Sequence, residues 1–116
     1  TPESVAFALD SFRAIFPEGG LLVFACAHDK RHAEMARVLA SGFREALVTR
    51  PGTFKQSDPA AVEASFKAAG VRTELVADTV EALGTARARS VASGKPLLVL
   101  GSFYLAAEAA KLFDPA

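Results

Sequence analysis

The stretch Leu21-Leu22-Val23-Phe24-Ala25-Cys26 is apolar throughout, and it decides the fold class. A run of this kind is expected of a strand that is covered on both faces, as the strands of parallel sheets are. Near the other end of the chain, Leu97-Leu98-Val99-Leu100 is a second run of the same kind. Because central strands are the most buried, the two runs predict neighbouring strands at the centre of a parallel sheet.

Helical segments alternate with these strands and with two shorter strands, which we predict at residues 46–49 and 73–76. The first helix begins at Thr1-Pro2-Glu3, which offers an N-cap, a proline at the first helical position and an acidic first turn. The apolar stripes of the first and last helices have helical spacing; they comprise Val5, Leu9, Phe12 and Phe16, and Leu105, Ala109 and Leu112.

Three further helices are predicted between the strands, at residues 32–40, 59–69 and 79–92. Asp58 and Asp78 are expected to cap the last two of these at their N-termini. Regular alternation of helix and strand implies right-handed crossovers and parallel strands. The predicted fold is therefore α/β, a three-layer Rossmann-like doubly wound sheet, mainly parallel, with strand order 3-2-1-4 and helices on both faces.

Length and charge exclude several classes of protein. The chain has 116 residues, enough for one domain over residues 1–116, and thirteen basic residues balance thirteen acidic ones. Zero net charge removes the electrostatic argument for a nucleic-acid or membrane partner. The longest apolar run, Leu21 to Ala27, has seven residues, far short of a membrane span. With one cysteine and no signal peptide visible, we expect a cytoplasmic domain, and the missing initial methionine leads us to expect a fragment of a longer protein.

The predicted strand order places a ligand-binding crevice beyond the carboxyl ends of the first and fourth strands, where the direction of winding reverses. Residues 27–31 and 101–104 follow those strands. Lys30 supplies a positive charge, and Ser102 supplies a hydroxyl at a helix N-terminus, where free backbone N–H groups favour an anion. Gly101 lets the backbone come close to a ligand. The residues predict an anion site, although Ser102 as a simple N-cap and Lys30 as a solvated lysine fit equally well.

Other chemistry-bearing residues give weaker signals. His28 and His32 flank Asp29, but a zinc site needs three or four ligands, so Asp29 or Cys26 would have to join them. Asp29 is more simply read as a cap of the following helix or as a partner of Lys30. Cys26 ends a buried strand, where cysteine usually acts as a small hydrophobe. Neither a metal site nor a catalytic thiol is therefore predicted.

Catalytic motifs are missing from the sequence. No G-x-G-x-x-G follows the first strand, no G-x-x-x-x-G-K-[ST] phosphate loop is present, and no G-x-S-x-G elbow occurs. Arg50 and Lys55 flank a loop with Phe54; they could contact a ligand or simply be solvated. The fold is of a kind that enzymes use, but the chain lacks a complete set of catalytic residues. Both facts are explained if this domain contributes half of an active site that lies between two domains.

Three segments carry a resemblance to a known family. They are the stretch from Leu22 to Lys30, the triplet Thr49-Arg50-Pro51, and Leu98-Val99-Leu100-Gly101-Ser102-Phe103-Tyr104-Leu105 with the later Glu108. Together they resemble the C-terminal domain of folylpolyglutamate synthase/dihydrofolate synthase, in the Mur ligase superfamily. The resemblance extends from Thr1 to about residue 113. The family's D-G-A-H segment would lie just before Thr1, so its acid and histidine are not in this chain.

The resemblance implies an ATP- and Mg²⁺-dependent ligase that joins L-glutamate to a folate or dihydropteroate carboxylate through an acyl phosphate. It implies an N-terminal P-loop domain in the same chain as partner, which would hold the ATP, the metal and the pterin. In related ligases a lysine and a serine at the positions of Lys30 and Ser102 hold the amino-acid carboxylate, and Asp29 is a further candidate. Tyr104 is another, as a wall or hydrogen-bonding group of the site, although packing of its helix onto the sheet fits equally well. The resemblance implies that this domain helps to bind the nucleotide as well as glutamate, through residues that it does not identify. No catalytic residue or metal ligand is assigned to this chain, which we expect to be inactive alone. Lys55 stands where the family more often has arginine.

Two other functions stay open at this point. A non-enzymatic, anion-binding Rossmann-like module would use the same residues without any turnover. The equivalent domain of a peptidoglycan Mur ligase would bind a different amino acid. The pattern Gly101-Ser102-Phe103-Tyr104 favours the folate enzyme over the peptidoglycan one.

Overall fold

The computed structural model describes residues 1–27, 30–52 and 56–113. Within these residues helices and strands alternate strictly, as predicted. The elements are α1 (Pro2–Ile15), β1 (Leu21–Phe24), α2 (His32–Ala40), β2 (Glu45–Val48), α3 (Pro59–Ala68), β3 (Arg72–Leu75), α4 (Thr79–Ser93), β4 (Leu97–Leu100) and α5 (Phe103–Phe113).

The four strands form one parallel sheet in the order β3-β2-β1-β4, which confirms the predicted topology. At the level of Val23 in β1 lie Leu47 of β2 and Val99 of β4. Strand β1 is central and fully buried, as its apolar sequence predicts. Strand β4 is half-buried along its length, because within the described residues it forms an edge of the sheet. Placing β4 beside β1 was therefore correct, whereas expecting it to be equally buried was wrong.

Helices cover both faces of the sheet and give three layers. Alternate residues of β1 point to opposite faces, so Phe24 faces α1, α2 and α3 while Val23 faces α4 and α5. On the first face Phe24 meets Phe66 of α3 edge to face, with ring centroids 5.2 Å apart. On the second face Leu83 of α4 and Leu105 of α5 are fully buried. Two separate apolar cores explain why β1 carries no polar residue.

The helix ends follow the predicted capping signals. The Thr1 hydroxyl accepts from the Ser4 N–H at 3.1 Å, and Ser4 returns a bond to the Thr1 carbonyl. Asp58 and Asp78 cap α3 and α4 through the same i to i+3 contact, and Gly94 ends α4 in the left-handed conformation. Helix α2 begins after Arg31 with no side-chain cap from a described residue, and the predicted cap Asp29 lies outside the described residues.

Several predicted boundaries and positions are wrong by small amounts. Strands β2 and β3 each begin and end one residue earlier than predicted, and β1 ends at Phe24, although Cys26 beyond it is buried. Phe16 is 40% exposed because it lies past the last turn of α1. Leu112 is 36% exposed near the end of α5. In the described part of the chain, no helix has the length and apolar character needed to cross a membrane.

Candidate functional site

A crevice of about 440 Å³ lies at the carboxyl ends of β1 and β4, where the strand order predicts a ligand site. This volume falls within the range of small-molecule pockets. The walls come from the ends of both strands, from the segment after β2 and from the N-terminal residues of α1, α2 and α5. They comprise Thr1, Ser4, Val5, Ala27, Lys30, Met35, Pro51, Val99, Leu100, Gly101, Ser102 and Ala106. The structure thus brings Lys30 and Ser102 together on one crevice, as the anion-site prediction requires.

Gly101 makes the turn from β4 to α5 possible. Its φ is +106°, and an added Cβ would overlap the carbonyl oxygen of Ala25 and lie 2.9 Å from the Phe24 ring. A side chain at residue 101 would therefore be both strained and blocked. Since Ala25 follows β1, this close approach holds the Ser102 turn against the end of the neighbouring strand.

Ser102 occupies the N-cap position of α5. Its Oγ accepts from the Leu105 N–H at 3.5 Å, and its carbonyl accepts from the Ala106 N–H at 3.1 Å. The Ser102 hydroxyl donates to the Pro51 carbonyl at 3.4 Å, which is long for an O–H···O bond. Such a weakly held proton can be redirected to a better acceptor in the crevice. The N-cap role is confirmed, and it is compatible with a ligand-binding role.

Lys30 supplies the charge of the crevice. Its N–H donates to the Ala27 carbonyl at 3.2 Å and its carbonyl accepts from the His32 N–H at 2.9 Å, so the loop backbone turns tightly before α2. Lys30 is exposed, and no described residue forms an ion pair with it. No acidic residue is among the described residues that line the crevice. The described lining of the crevice is therefore electropositive.

Helix orientation adds to this positive potential. In a parallel α/β arrangement the helices begin at the carboxyl ends of the strands, and a helix N-terminus carries about half a positive charge. Thr1 and Ser4 belong to the first turn of α1, and Ser102 caps α5, so two helix N-termini face the crevice. An anion bound there would meet a lysine, a hydroxyl and the partial positive charge of the helix N-termini.

Tyr104 lies behind this surface rather than in it. Its ring packs against Gly52, and Tyr104 is not among the described residues that line the crevice. The other candidate, Asp29, lies outside the described residues, as do His28, Phe54 and Lys55. Of the four predicted glutamate-binding residues, the structure therefore brings two into the crevice.

Sequence reasoning missed the role of the segment after β2. Thr49 is 1% exposed, and its hydroxyl donates to the Ala77 carbonyl at 3.1 Å. The Arg50 N–H donates to the same carbonyl, and the Thr79 hydroxyl donates to the Arg50 carbonyl at 3.0 Å. These bonds fix the segment to the turn before α4. The signal was a polar residue, Thr49, at the end of an apolar strand, and we predicted it only as the last residue of that strand.

The described residues offer no candidate metal site. In the described ranges no three His, Cys, Asp or Glu side chains are grouped so that they could hold a metal ion. Nδ1 of His32 lies 2.8 Å from Oγ of Ser65, which ties α2 to α3 instead. Cys26 is buried at the end of β1. Within the described residues, no cluster of side chains therefore fits Mg²⁺.

A second, larger groove of about 700 Å³ lies at the opposite end of the sheet. Its basic residues are Arg13, Arg44 and Lys95, and its acidic residue is Glu18. The last turns of α1, α2 and α4 end at this groove. It provides an internal comparison for the electrostatics of the crevice.

Comparisons with known proteins agree with this geometry. A folylpolyglutamate synthase from Thermotoga maritima superposes with a TM-score of 0.81 at 19% identity, over 100% of this chain and 26% of that one. A Mycobacterium tuberculosis folylpolyglutamate synthase complexed with ADP and AMPPCP gives a TM-score of 0.78 at 20% identity, over 98% of this chain and 28% of that one. The chain thus spans about a quarter of the length of these structures. No curated protein sequence matches it significantly.

The structural likeness establishes the fold, and a match to a family model establishes the family. The model of the Mur ligase, glutamate ligase domain matches residues 1–103, which includes every described residue of the crevice except Ala106. The chain therefore belongs to the glutamate ligase domain family of the Mur ligases.

Proposed function

We propose that this chain is the C-terminal domain of a two-domain, ATP-dependent folylpolyglutamate synthase/dihydrofolate synthase, and that it holds L-glutamate for transfer to a folate or dihydropteroate carboxylate. The observation that carries the proposal is the meeting of Lys30 and Ser102 on one electropositive crevice. The family match and the fold support it, and the pattern Gly101-Ser102-Phe103-Tyr104 favours folate over a peptidoglycan substrate.

The crevice would bind a carboxylate of glutamate. The Lys30 ammonium supplies the charge, the Ser102 hydroxyl supplies a directed hydrogen bond, and the N-terminus of α5 adds its partial positive charge. A hydrogen bond to a charged group contributes about 1.5–3 kcal/mol. Held by one carboxylate, the substrate is fixed in orientation, so that its amine can face the carbonyl carbon of the acyl phosphate, from which phosphate leaves. Orientation of this kind is itself a major source of rate acceleration.

The remaining components would come from the rest of the protein. This chain has no phosphate-binding loop, and its described residues offer no metal site. We therefore assign ATP, Mg²⁺ and the folate to an N-terminal P-loop domain of the same polypeptide. A cleft closed between two domains excludes water from a reactive acyl group and assembles the site when substrates are present. Such an enzyme would work in the cytoplasm.

The decisive experiment measures steady-state kinetics of the intact ligase that carries this domain. Lys30→Ala should raise the KM for glutamate about 10- to 100-fold, which corresponds to the loss of one charge-assisted bond. The KM for ATP should stay within about twofold. Lys95→Ala is the matched control, because Lys95 is also an exposed lysine but lies at the opposite end of the sheet.

Other outcomes would point elsewhere. An equal rise in both KM values would indicate that Lys30 contacts the nucleotide. No rise in either KM would show that Lys30 does not bind glutamate. A preference for another amino acid would favour a peptidoglycan ligase. Binding of small carboxylates with no ATP turnover by the intact protein would favour a non-enzymatic anion-binding module.

A further inference from the structure

Gly52 and Tyr104 fit each other closely behind the crevice. Gly52 is buried, its φ is +138°, and an added Cβ would lie 2.8 Å from Cδ1 of Tyr104 and 3.0 Å from Cε1 and Cγ. Real Cβ atoms almost never come within 3.0 Å of a heavy atom. The aromatic ring therefore occupies the space that a side chain at residue 52 would need.

This contact lies beside the bond that holds the Ser102 hydroxyl. Pro51, the residue before Gly52, is buried; it lines the crevice, and its carbonyl accepts from the Ser102 hydroxyl. Tyr104 stands two residues after Ser102 in the first turn of α5. The ring–glycine contact thus joins the Pro51 segment to the helix that carries Ser102.

The same segment is fixed from its other side. Thr49 and Arg50 bond to the Ala77 carbonyl, and Thr79 bonds to the Arg50 carbonyl. Residues 49–52 are therefore held between the turn before α4 and the first turn of α5. A segment fixed on both sides has little freedom to adjust when one contact is changed.

We propose that Gly52 and Tyr104 are positioning residues for Ser102: their contact sets the Pro51 carbonyl, and the Pro51 carbonyl sets the direction of the Ser102 hydroxyl. This inference rests on the proposed function, and it assigns Tyr104 a role through its ring rather than as a ligand of glutamate. In the free protein the hydroxyl proton points to Pro51. An arriving carboxylate takes over this long bond while the side chain is already correctly placed.

Small errors of placement at such a site have large effects. A shift of about 1 Å in a group that orients a substrate can lower the rate about 100-fold. A methyl group at residue 52 cannot be accommodated without moving either the Tyr104 ring or the Pro51 segment. Either movement changes the distance from the Pro51 carbonyl to Ser102, and the Pro51 wall of the crevice moves with it.

The test is a double-mutant cycle in the intact ligase, read out as the KM for glutamate. Gly52→Ala and Tyr104→Ala should each raise this KM about tenfold or more, with the KM for ATP unchanged. The double mutant should raise the KM for glutamate little more than either single mutant does, because both substitutions disrupt the same contact. Tyr104→Phe keeps the ring and should retain a KM within about twofold of the wild type.

A control separates positioning from general loss of stability. Gly94 also has a positive φ, of +72°, but no atom lies within 4 Å of its added Cβ, and it lies at the far end of the sheet. Gly94→Ala should lower the melting temperature without raising the KM for glutamate. If it raises the KM as much as Gly52→Ala does, the effect is one of stability and the positioning role is wrong.

The outcomes also separate this inference from the proposed function. If Lys30→Ala raises the KM for glutamate but Gly52→Ala does not, the positioning role fails while the glutamate site stands. If Tyr104→Phe raises the KM for glutamate as much as Tyr104→Ala does, the effect comes from the hydroxyl, and the positioning role of the ring is refuted. If Lys30→Ala leaves the KM for glutamate unchanged, the proposed function is wrong, whether or not Gly52 and Tyr104 are coupled.

Discussion

Replacing Gly101 by alanine tests the contact on which the geometry of the crevice depends. The residue joins β4 to α5 at φ +106°, and its added Cβ would overlap the Ala25 carbonyl oxygen and approach the buried Phe24 ring. A left-handed backbone costs an L-residue about 1–2 kcal/mol. Forcing a methyl group into a packed site costs about 1–3 kcal/mol more. We therefore expect Gly101→Ala to lower the free energy of unfolding by about 2–5 kcal/mol.

Equilibrium urea unfolding, followed by circular dichroism, measures this loss. With a slope of about 1–3 kcal/mol per molar urea, the midpoint should fall by roughly 1–3 M. Two other glycines separate the contributions of strain and overlap. Gly94→Ala introduces strain without overlap and should cost about 1–2 kcal/mol. Gly84→Ala, in the interior of α4 with no atom near its added Cβ, should stabilise the protein by about 0.5–1 kcal/mol.

The comparison with Gly94 decides the result. If Gly101→Ala costs no more than Gly94→Ala, there is no overlap with Ala25, and the Ser102 turn does not lie against the end of β1. The crevice walls would then be misplaced, and the convergence of Lys30 and Ser102 would lose its structural basis. A loss clearly larger than that of Gly94→Ala supports the close approach of the two strand ends.

Three further predictions concern the core, a cap and the isolated chain. Phe66→Ala removes a fully buried ring that packs on Phe24 and should cost about 3–5 kcal/mol in urea unfolding; a loss below about 1 kcal/mol would contradict the described core. Asp78→Ala removes the cap of α4 and should cost about 1 kcal/mol, whereas Asp78→Asn should cost much less. The 116-residue chain alone, incubated with ATP and Mg²⁺, should release no phosphate above a buffer blank, and clear hydrolysis would overturn the two-domain assignment.

A fourth prediction concerns pH. A hydrogen bond from its own backbone N–H, at the start of α1, lowers the pKa of Glu3 below its ordinary value of 4.5; the nearby charge of Arg31 and the Thr1 hydroxyl lower it further. The folded state thus favours the charged form, so Glu3 contributes stability above pH 4.5 that is lost as the pH falls through its lowered pKa. Melting temperatures of Glu3→Gln should therefore fall less than those of the wild type over this acid range; identical acid profiles would show that Glu3 contributes nothing.

The sequence predicted the topology because the relevant signals are local. Apolar runs identified the strands, and capping residues such as Asp58 and Asp78 marked helix starts that the structure confirms. The burial of β4 was misjudged because the same apolar sequence can form a central strand or an edge strand. Only the neighbouring strands determine how far it is buried. Phe16 was misjudged for a related reason, since helical spacing does not show where a helix stops.

The parts of the candidate site that depend on strand order could be predicted from the sequence. The parts that depend on contacts between loops could not. Strand order placed Lys30 and Ser102 at the same sheet edge, and the structure puts them on one crevice. The contact of Tyr104 with Gly52, and of Ser102 with Pro51, joins segments about fifty residues apart. No periodicity or motif reports such a contact, because it depends on how two loops pack after the sheet has formed.

The two ends of the sheet show that the number of basic residues alone does not decide which end favours an anion. The second, larger groove, at the amino ends of the strands, has three basic residues and one acidic residue, whereas the described lining of the crevice has one lysine. Its walls, however, include the last turns of α1, α2 and α4, and the partial negative charge of helix C-termini offsets the basic side chains. Arg13 shows this directly, since it donates to the Ser41 carbonyl at 2.9 Å at the end of α2. In the crevice the helix N-termini and the lysine have the same sign and therefore reinforce each other. Removing Lys30 should for this reason weaken carboxylate binding far more than removing Lys95, although both are exposed lysines on the same small sheet.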